Sequence, residues 1–376
     1  MCVRCGKPTP NGKPCRRKVA GPGAPCGAVH RAPLPPATPE TDIAAAAPTS
    51  ADPFAATTAA LPGDEAENLA NATRDPGTLE ALSRHPEPPV RWTVAQNELT
   101  PPGTLGRLAG DPIQAVRARA ARNPKLPAEV LARLGLGRDP DLAAAAAANP
   151  AAGPALLGTI VSTLPTEQVL RNAAGNPSAG AALINQLVDR HGSSPGVLAC
   201  AASNPATPPG LLAAFTVSHV ELVATRAAAH PACPAPNISA ASRSTEPKLR
   251  AAAARNPSVS PGDVERLARD TEPQVRFAAV RNRQLPPLNL TALAADPEMK
   301  VRSSVARNRG TQPEVLARLA VDPEHHVRRG AAGNTRTPPE ALARLAADPD
   351  AGVRLAAVRN PNLPPAGRAA AGLLTD

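Results

Sequence analysis

The chain has 376 residues, a formal net charge of +10, 48 Pro, 26 Gly, one Trp, three Phe and no Tyr. So few aromatic side chains exclude a large aromatic core, but an apolar content of 42%, mostly Ala, Leu and Val, leaves enough surface for closely packed helices. No apolar run approaches the ~20 residues of a membrane span, and the N-terminus lacks an apolar signal segment. The sequence therefore predicts a soluble cytoplasmic protein with no membrane partner.

The N-terminal stretch carries four of the six cysteines, in the pattern C-x2-C-x9-C-x10-C-x3-H. These residues are Cys2, Cys5, Cys15, Cys26 and His30. In a reducing compartment this pattern favours a metal site over disulfides. A segment this short, with no apolar stripe, would need metal to supply its folding free energy. Residues 1–30 are therefore predicted to form a metal-binding module.

The sequence leaves two candidates for the group that this module binds, a zinc ion and an iron–sulfur cluster. Ferredoxin-type clusters use cysteines packed as C-x2-C-x2-C, and their absence favours Zn²⁺ over a 4Fe-4S cluster. The stretch "CGKPTPNGKPC" with the closing Cys and His is similar to short bacterial zinc modules of the form C-G-x-x-T-x-x-G-x-x-C. That resemblance implies Cys5, Cys15, Cys26 and His30 as ligands and leaves Cys2 spare. An all-cysteine set would instead use Cys2 as the fourth ligand.

Positive charge is concentrated in the same module and at its edge. Seven basic residues precede the first acid, Glu40. They are Arg4, Lys7, Lys13, Arg16, Arg17, Lys18 and Arg31. If the chain binds nucleic acid, residues 4–31 are the predicted contact, and binding would depend on salt. A small solvated domain that is simply basic explains the same charge equally well.

Residues 31–62 follow the module and are rich in Pro and Ala. They show no periodicity, which predicts a flexible linker. The rest of the chain, residues 63–376, is predicted to form a separate repeat domain.

Asparagine marks the repeat. It recurs mostly at steps of 26 residues, with one step of 27 and one of 28, and His230 fills the single missing position. The asparagines are Asn71, Asn97, Asn123, Asn149, Asn176, Asn204, Asn256, Asn282, Asn308, Asn334 and Asn360. Such regular spacing predicts a solenoid of about 11 units, in which each unit buries its apolar face against the next.

The unit "NTRTPPEALARLAADPDAGVRLAAVR" shows the first predicted helix most clearly. Thr337 is the expected N-cap, followed by Pro338 at the first helical position. Glu340 would complete a capping box. Leu342 and Leu345 then share one buried face.

A second helix is expected after a cap formed by Asp348, with Val353, Ala356 and Ala357 on its buried stripe. The asparagine at the unit boundary persists where no proline follows it, as at Asn308. Its amide is therefore predicted to satisfy backbone groups at the turn, or its backbone to adopt the left-handed conformation.

The phrase L-x-x-L-A-x-D-P-x-x-x-V-R-x-x-x-A-x-N-P-x-x-P-P resembles the leucine-rich repeat variant family over about residues 71–360. The resemblance implies one α-helix and one short or 3₁₀ helix per unit, with no β-sheet. It also implies a Cys-rich N-terminal module, described in that family as an iron–sulfur site. We therefore predict an all-α fold, a right-handed helical repeat solenoid. Between Asn123 and His230 the D-P and V-R elements weaken.

An arginine strip is the second repeated feature, usually one residue after a valine. It comprises Arg91, Arg117, Arg250, Arg276, Arg302, Arg328 and Arg354, the last five in consecutive units. Aspartate recurs at the expected second cap in five units that also carry the arginine, at Asp111, Asp270, Asp296, Asp322 and Asp348. This pairing favours a structural ladder between units. The alternative is an interaction surface of Arg250, Arg276, Arg302, Arg328 and Arg354 for an acidic partner.

Catalysis has little support, because no Gly-rich phosphate loop and no Ser/His/Asp order is present. His325 and His326 should face water in the first turn of a helix, and Cys200 and Cys233 are predicted to be packing residues. The predicted function is a non-enzymatic scaffold for a protein partner, with a tethered zinc module. Nucleic-acid binding and an iron–sulfur redox or iron sensor are the alternatives.

Overall fold

The structure is a computed structural model that describes residues 60–370 and the short segments 3–4 and 18–19. The chain divides into two compact units, Met1–Ala56 and Thr57–Asp376. In the first unit, strand β1 (Val3–Arg4) pairs antiparallel with strand β2 (Lys18–Val19). Val3 lies opposite Val19 in this two-residue ladder.

The second unit contains 24 helices within residues 60–370. The odd-numbered helices are α1 (Gly63–Ala72), α3 (Pro88–Gln96), α5 (Gln114–Arg122), α7 (Pro140–Ala147), α9 (Glu167–Gly175), α11 (Pro195–Ser203), α13 (Glu221–Ala229), α15 (Pro247–Arg255), α17 (Pro273–Val280), α19 (Met299–Arg307), α21 (His325–Ala332) and α23 (Ala351–Val358). The even-numbered helices are α2 (Pro76–Leu82), α4 (Pro102–Leu108), α6 (Ala128–Gly135), α8 (Pro154–Thr163), α10 (Gly180–His191), α12 (Pro209–Thr216), α14 (Ala235–Ala241), α16 (Pro261–Leu267), α18 (Pro287–Leu293), α20 (Pro313–Leu319), α22 (Pro339–Leu345) and α24 (Pro365–Ala370).

These helices form two layers. Each odd-numbered helix packs against the next odd-numbered helix, and the even-numbered helices cover that layer from one side. The predicted all-α repeat solenoid is confirmed for this unit. Of the two predicted forms of the second helix, short or 3₁₀, residues 60–370 show the short one: both helices of every unit are α-helical, and α20 and α22, for example, have seven residues each. No helix in this part of the chain is long and apolar enough to cross a membrane.

Small side chains allow the odd-numbered helices to approach one another. Four successive alanines of α15, from Ala251 to Ala254, are all buried, as are Val301 in α19 and Val327 in α21. The even-numbered helices contribute larger side chains, such as Leu342 and Leu345 of α22, which are buried as predicted. Burying each leucine contributes about 1.5–3 kcal/mol. The buried apolar residues form two clusters, one within residues 66–227 and one within residues 228–363, and each runs through several units.

The helix starts differ from the predicted caps. Helix α22 begins at Pro339, and its N-cap Pro338 has no side-chain hydrogen bond. The Thr337 hydroxyl instead donates to the carbonyl of Ala331, 2.6 Å away at the end of α21. The capping box is therefore wrong, because this buried threonine satisfies a carbonyl at the preceding helix terminus, where intrahelical donors run out.

The second predicted cap is displaced by two residues. Helix α23 begins at Ala351, and the Asp350 carboxylate accepts the N–H of Val353 at 2.9 Å. Asp348 accepts the N–H of Asp350 at 2.9 Å and so forms the turn before the helix. On the predicted stripe of α23, Val353 and Ala357 are buried and Ala356 is partly buried.

The repeated asparagines form a hydrogen-bonded ladder along the array, called here the asparagine ladder. Asn282 Nδ2 donates to the carbonyls of Ala254 at 2.7 Å and Asn256 at 2.9 Å, in the preceding unit. Its Oδ1 accepts the N–H of Gln284 at 2.8 Å. The same three bonds recur at Asn123, Asn149, Asn176, Asn204, Asn256, Asn334 and Asn360.

This ladder confirms that the amide satisfies backbone groups at the turn. The left-handed alternative is wrong, because Asn123 and Asn308, for example, have φ of −73° and extended ψ. The acceptors are carbonyls at or just beyond a helix C-terminus, which lack intrahelical donors. Each asparagine therefore completes the helix end of the unit before it.

The ladder continues through the units in which the D-P and V-R elements weaken. The steps of 27 and 28 residues coincide with longer even-numbered helices, α8 with 10 residues and α10 with 12. Helices α9 and α11 keep nine residues each. The extra residues thus lengthen the even-numbered helices, and the odd-numbered helices that carry the asparagine ladder keep their length.

His230 replaces asparagine in the ladder by using its two ring nitrogens. Nδ1 accepts the N–H of Ala232 at 3.1 Å, so Nε2 carries the hydrogen and donates to the Asn204 carbonyl at 3.0 Å. Other ladder asparagines donate two amide hydrogens to two carbonyls, as Asn256 does. An asparagine at position 230 would have a second hydrogen for the carbonyl of Ala202. Histidine at this position therefore makes one bond fewer.

We expect His230→Asn to be at least as stable as the natural chain, with a gain of up to about 1 kcal/mol from the added bond. His230→Ala should lose stability, because it leaves the buried Asn204 carbonyl without its donor and the Ala232 N–H without its acceptor. Urea denaturation of the two variants checks this prediction. Equal destabilisation by both substitutions would contradict the equivalence of His230 and asparagine.

Candidate interaction surface

The predicted metal ligands Cys2, Cys5, Cys15, Cys26 and His30 lie outside the described residues. Of the basic stretch 4–31, the structure describes only the backbone pairing of Arg4 with Lys18. The linker is likewise outside, apart from residues 60–62. The metal-site and nucleic-acid predictions therefore remain predictions.

The array itself offers little metal or thiol chemistry. Within residues 60–370, no group of three His, Cys, Asp or Glu side chains is placed to hold a metal ion. His325 and His326 are exposed, as predicted, with ring centroids 4.0 Å apart. Cys233 is buried, and burial raises the pKa of its thiol to about 11, so it is a packing residue and stays protonated at neutral pH. Cys200 is partly buried.

The predicted Arg–Asp ladder is present in the array. Arg302 Nε lies 2.8 Å from Asp322 Oδ2, and Arg302 Nη2 lies 3.1 Å from Asp322 Oδ1. The two residues are 20 positions apart and belong to adjacent units. The same two-pronged pair joins Arg91 to Asp111, Arg250 to Asp270, Arg276 to Asp296, and Arg328 to Asp348.

Each ladder arginine also binds its own unit. Arg328 Nη1 donates to the carbonyls of Asp322 and Pro323, both at 2.9 Å. The guanidinium thus joins the turn before its own helix to the carboxylate of the next unit. Such two-pronged pairs are stronger and more directional than single hydrogen bonds.

Ladder pairs are largely withdrawn from solvent. The side chains of Arg328 and Asp348 are 15% and 6% exposed. The hydrogen bond from Arg328 lowers the pKa of Asp348 below its ordinary value. The hydrogen bond to Asp322 raises the pKa of Arg302. Both shifts favour the charged forms, so the ladder is ionised at neutral pH.

Four of the five arginines of the predicted interaction surface are engaged in ion pairs within the array. Arg250, Arg276, Arg302 and Arg328 direct three of their nitrogens at partners within the array. Arg354 is exposed and donates to the carbonyls of Asp348 and Pro349. A role of these five arginines in partner binding stays a prediction.

A different set of arginines lines a groove over helices α17 to α23. Two depressions of about 860 Å³ and 470 Å³ share Arg307 and together form this feature, called here the arginine groove. Its arginines are Arg281, Arg283, Arg307, Arg309, Arg329 and Arg359, and none of its lining residues is acidic. All six are exposed, and within residues 60–370 none of their side chains forms a hydrogen bond or an ion pair.

Sequence reasoning missed the arginine groove. A signal was available, because Arg255, Arg281, Arg307 and Arg359 each directly precede a ladder asparagine. Arginine at a helix end is also explained by the negative end of the helix dipole. Only the stacking of units shows that these positions lie side by side.

One family model and several solved structures match parts of the chain. The family model for the leucine rich repeat variant matches residues 325–350. Of the solved structures, one described as a leucine-rich repeat variant with a novel repetitive structural motif is 21% identical, with a TM-score of 0.34, and the match covers 81% of this chain and 92% of that chain. An engineered protein is 20% identical over 85% of this chain and 86% of its own, with a TM-score of 0.24. Kap121p bound to Pho4p is 10% identical over 81% of this chain and 42% of its own, with a TM-score of 0.31. No curated protein matches the chain.

The matched residues 325–350 run from the start of α21 to the cap of α23. They contain Asn334 of the asparagine ladder and both members of the Arg328–Asp348 pair. The unit that the family model describes therefore carries the contacts that recur along the array. The predicted resemblance is confirmed at residues 325–350, which are similar to the leucine-rich repeat variant, and the described array is a helical repeat.

Proposed function

We propose that the protein is a non-enzymatic interaction scaffold, in which the array presents an extended surface to a protein partner. The observation that supports this function is the uninterrupted stacking of 12 odd-numbered helices within residues 60–370. Stacked helical units offer a long surface whose side chains vary from unit to unit, which is how repeat arrays bind other proteins. The asparagine and Arg–Asp ladders stabilise that surface.

Purification of the full chain from its native cells after nuclease treatment tests this function. A specific protein should stay bound after the nucleic acid has been digested. Binding that disappears with nuclease would contradict the scaffold function and favour the basic residues 4–31 as a nucleic-acid contact.

The N-terminal module is part of the proposal, as a zinc site tethered to the scaffold. Its support is the spacing of Cys5, Cys15, Cys26 and His30, with Cys2 as the alternative fourth ligand. Four such ligands would fix a short segment that has too few apolar residues to fold by burial.

The protein, purified without oxygen, should be colourless and contain about one zinc ion per chain. Cys15→Ser and Cys26→Ser should each lose the metal, because a three-ligand site binds zinc more weakly. Elemental analysis measures the metal content of the natural chain and of these variants. Cys200→Ser is the control and should retain the metal. A brown protein that contains iron and no zinc would replace the zinc site with a 4Fe-4S cluster and favour a redox or iron sensor.

A further inference from the structure

The six arginines of the arginine groove differ from the ladder arginines in their surroundings. The ladder arginines bind carboxylates and carbonyls, whereas the groove arginines have no side-chain hydrogen bond or ion pair within residues 60–370. A cluster of exposed guanidinium groups with no acid among the lining residues repels itself and attracts anions. The groove therefore has the charge of an anion-binding surface.

Helix-end stabilisation explains only part of this cluster. Arg307 and Arg329 lie in the last turns of α19 and α21, where a positive charge is favourable. Arg283 and Arg309 lie beyond the helix ends, each directly after a ladder asparagine. The dipole effect falls off within the last turn, so it does not account for these two residues.

Glycine shapes one end of the groove. Gly333 stands directly before a ladder asparagine, at the position that Arg307 and Arg359 occupy in the flanking units. Gly330, Gly333 and Gly352 all line the smaller depression, together with those two arginines and Arg329. Because Gly333 has no side chain, space is left between Arg307 and Arg359 of the flanking units. Arg329, one helical turn before Gly333, lines the same space.

The walls of the groove indicate which kind of anion it fits. Apolar surface lies beside the positive charge in both depressions, from partly buried Phe277 in the larger one and from Leu355, 49% exposed, in the smaller one. Single-stranded nucleic acid needs open aromatic faces for its bases. Phe277 is the aromatic residue here, and the Arg281 guanidinium already lies over its ring, 5.6 Å from the centroid.

We propose that the arginine groove binds an extended acidic segment of the protein partner, with carboxylates on the arginines and apolar side chains between them. This inference rests on the proposed scaffold function and adds the chemistry of the partner. The groove crosses four odd-numbered helices spaced by about 8–10 Å, a length of about 24–30 Å. An extended chain of about eight or nine residues spans that distance.

Fluorescence anisotropy with the full chain tests the proposal directly. The probe is a dye-labelled peptide of about nine residues, made of three Glu-Glu-Leu triplets, and the comparison probe is an oligothymidine of about nine nucleotides. The peptide should bind, and its affinity should fall as sodium chloride rises, because arginine–carboxylate attraction is screened. The oligothymidine should bind more weakly at every salt concentration.

Two groove variants should weaken the peptide complex. Arg307→Glu with Arg329→Glu reverses two charges and should weaken binding by about tenfold or more. Arg283→Gln with Arg309→Gln changes residues beyond helix ends, which keeps the test valid if charge reversal perturbs folding. Arg318→Glu with Arg344→Glu reverses two exposed charges on α20 and α22, outside the groove, and should change affinity by less than about twofold.

Three results would overturn the inference. They are no peptide binding at low salt, equal weakening by the control pair on α20 and α22, and tighter binding of the oligothymidine that the same groove variants abolish. The groove variants also separate this inference from the scaffold function. A natural partner that survives nuclease and binds both groove variants normally would refute the groove and leave the scaffold standing.

Discussion

Asn256→Ala should lower the free energy of unfolding by about 3–5 kcal/mol. Asn256 is 0% exposed, and its amide donates to the carbonyls of Ala228 and His230, both at 2.8 Å. Its Oδ1 accepts the N–H of Ser258 at 2.8 Å. Alanine leaves all three groups without their side-chain partner, and the two carbonyls are bonded in a buried site, where each unsatisfied group costs about 1–3 kcal/mol.

Urea denaturation followed by circular dichroism measures this loss. Asn185→Ala is the matched control, because Asn185 is exposed on α10 and outside the ladder. It should change stability by less than about 0.5 kcal/mol. Asn256→Asp should also be destabilised at neutral pH, since a carboxylate would face two carbonyl oxygens. If Asn256→Ala proved as stable as Asn185→Ala, the ladder would not stabilise the array.

Arg328→Ala should lower stability by about 2–4 kcal/mol. The substitution leaves the Asp348 carboxylate, 6% exposed, with a charge and without its guanidinium partner. Removing one member of a buried ion pair costs more free energy than the intact pair contributes. The remaining charge stays desolvated but has lost its partner. Arg302→Ala should behave in the same way, because Asp322 is 7% exposed.

Arg117→Ala separates the ion pair from the other arginine contacts. Arg117 donates to the carbonyls of Asp111 and Pro112, as the ladder arginines do in their own units, but forms no ion pair within residues 60–370. Its loss should therefore be smaller. A double-mutant cycle of Arg328→Ala with Asp348→Ala should show a coupling of about 1–3 kcal/mol. Unchanged melting of both Arg302→Ala and Arg328→Ala would reject the ladder and favour a partner-binding role for the strip.

Much of the array was predictable, because its main signals repeat. The spacing of asparagine gave the period and an amide role that the structure confirms at Asn282. The joint presence of arginine and aspartate in the same units predicted pairs such as Arg302 with Asp322. In both cases one residue type recurs wherever its contact recurs, so the linear pattern reflects a contact between units.

Local rules failed where a neighbouring unit supplies the partner. Thr337 fits the sequence signature of an N-cap, but in the structure it donates to Ala331 of the preceding helix. Asp348 also fits a cap, although its carboxylate binds Arg328 of the unit before. Capping rules consider only the following few residues. They cannot anticipate a donor or acceptor that stacking places alongside.

The recurrence of arginine before a ladder asparagine indicates only part of the arginine groove, for a related reason. Arg329 stands four residues before Gly333, whereas Arg307 and Arg359 each directly precede an asparagine. Arg329 therefore occupies a different position in the repeat from Arg307 and Arg359. They meet only because the odd-numbered helices stack in register and Gly333 leaves an opening between two of them.

The most direct test of the account is the removal of one whole unit, residues 308–333, followed by hydrogen exchange across the shortened chain. Asn334 would then follow Arg307, and Arg302 would stand 20 residues before Asp348, the spacing of every ladder pair. If each unit is completed by its neighbours, α19 and α23 should keep their slow exchange, because both ladders reform across the junction. Fast exchange throughout residues 60–370 of the shortened chain would contradict a repeat array held together by contacts between adjacent units.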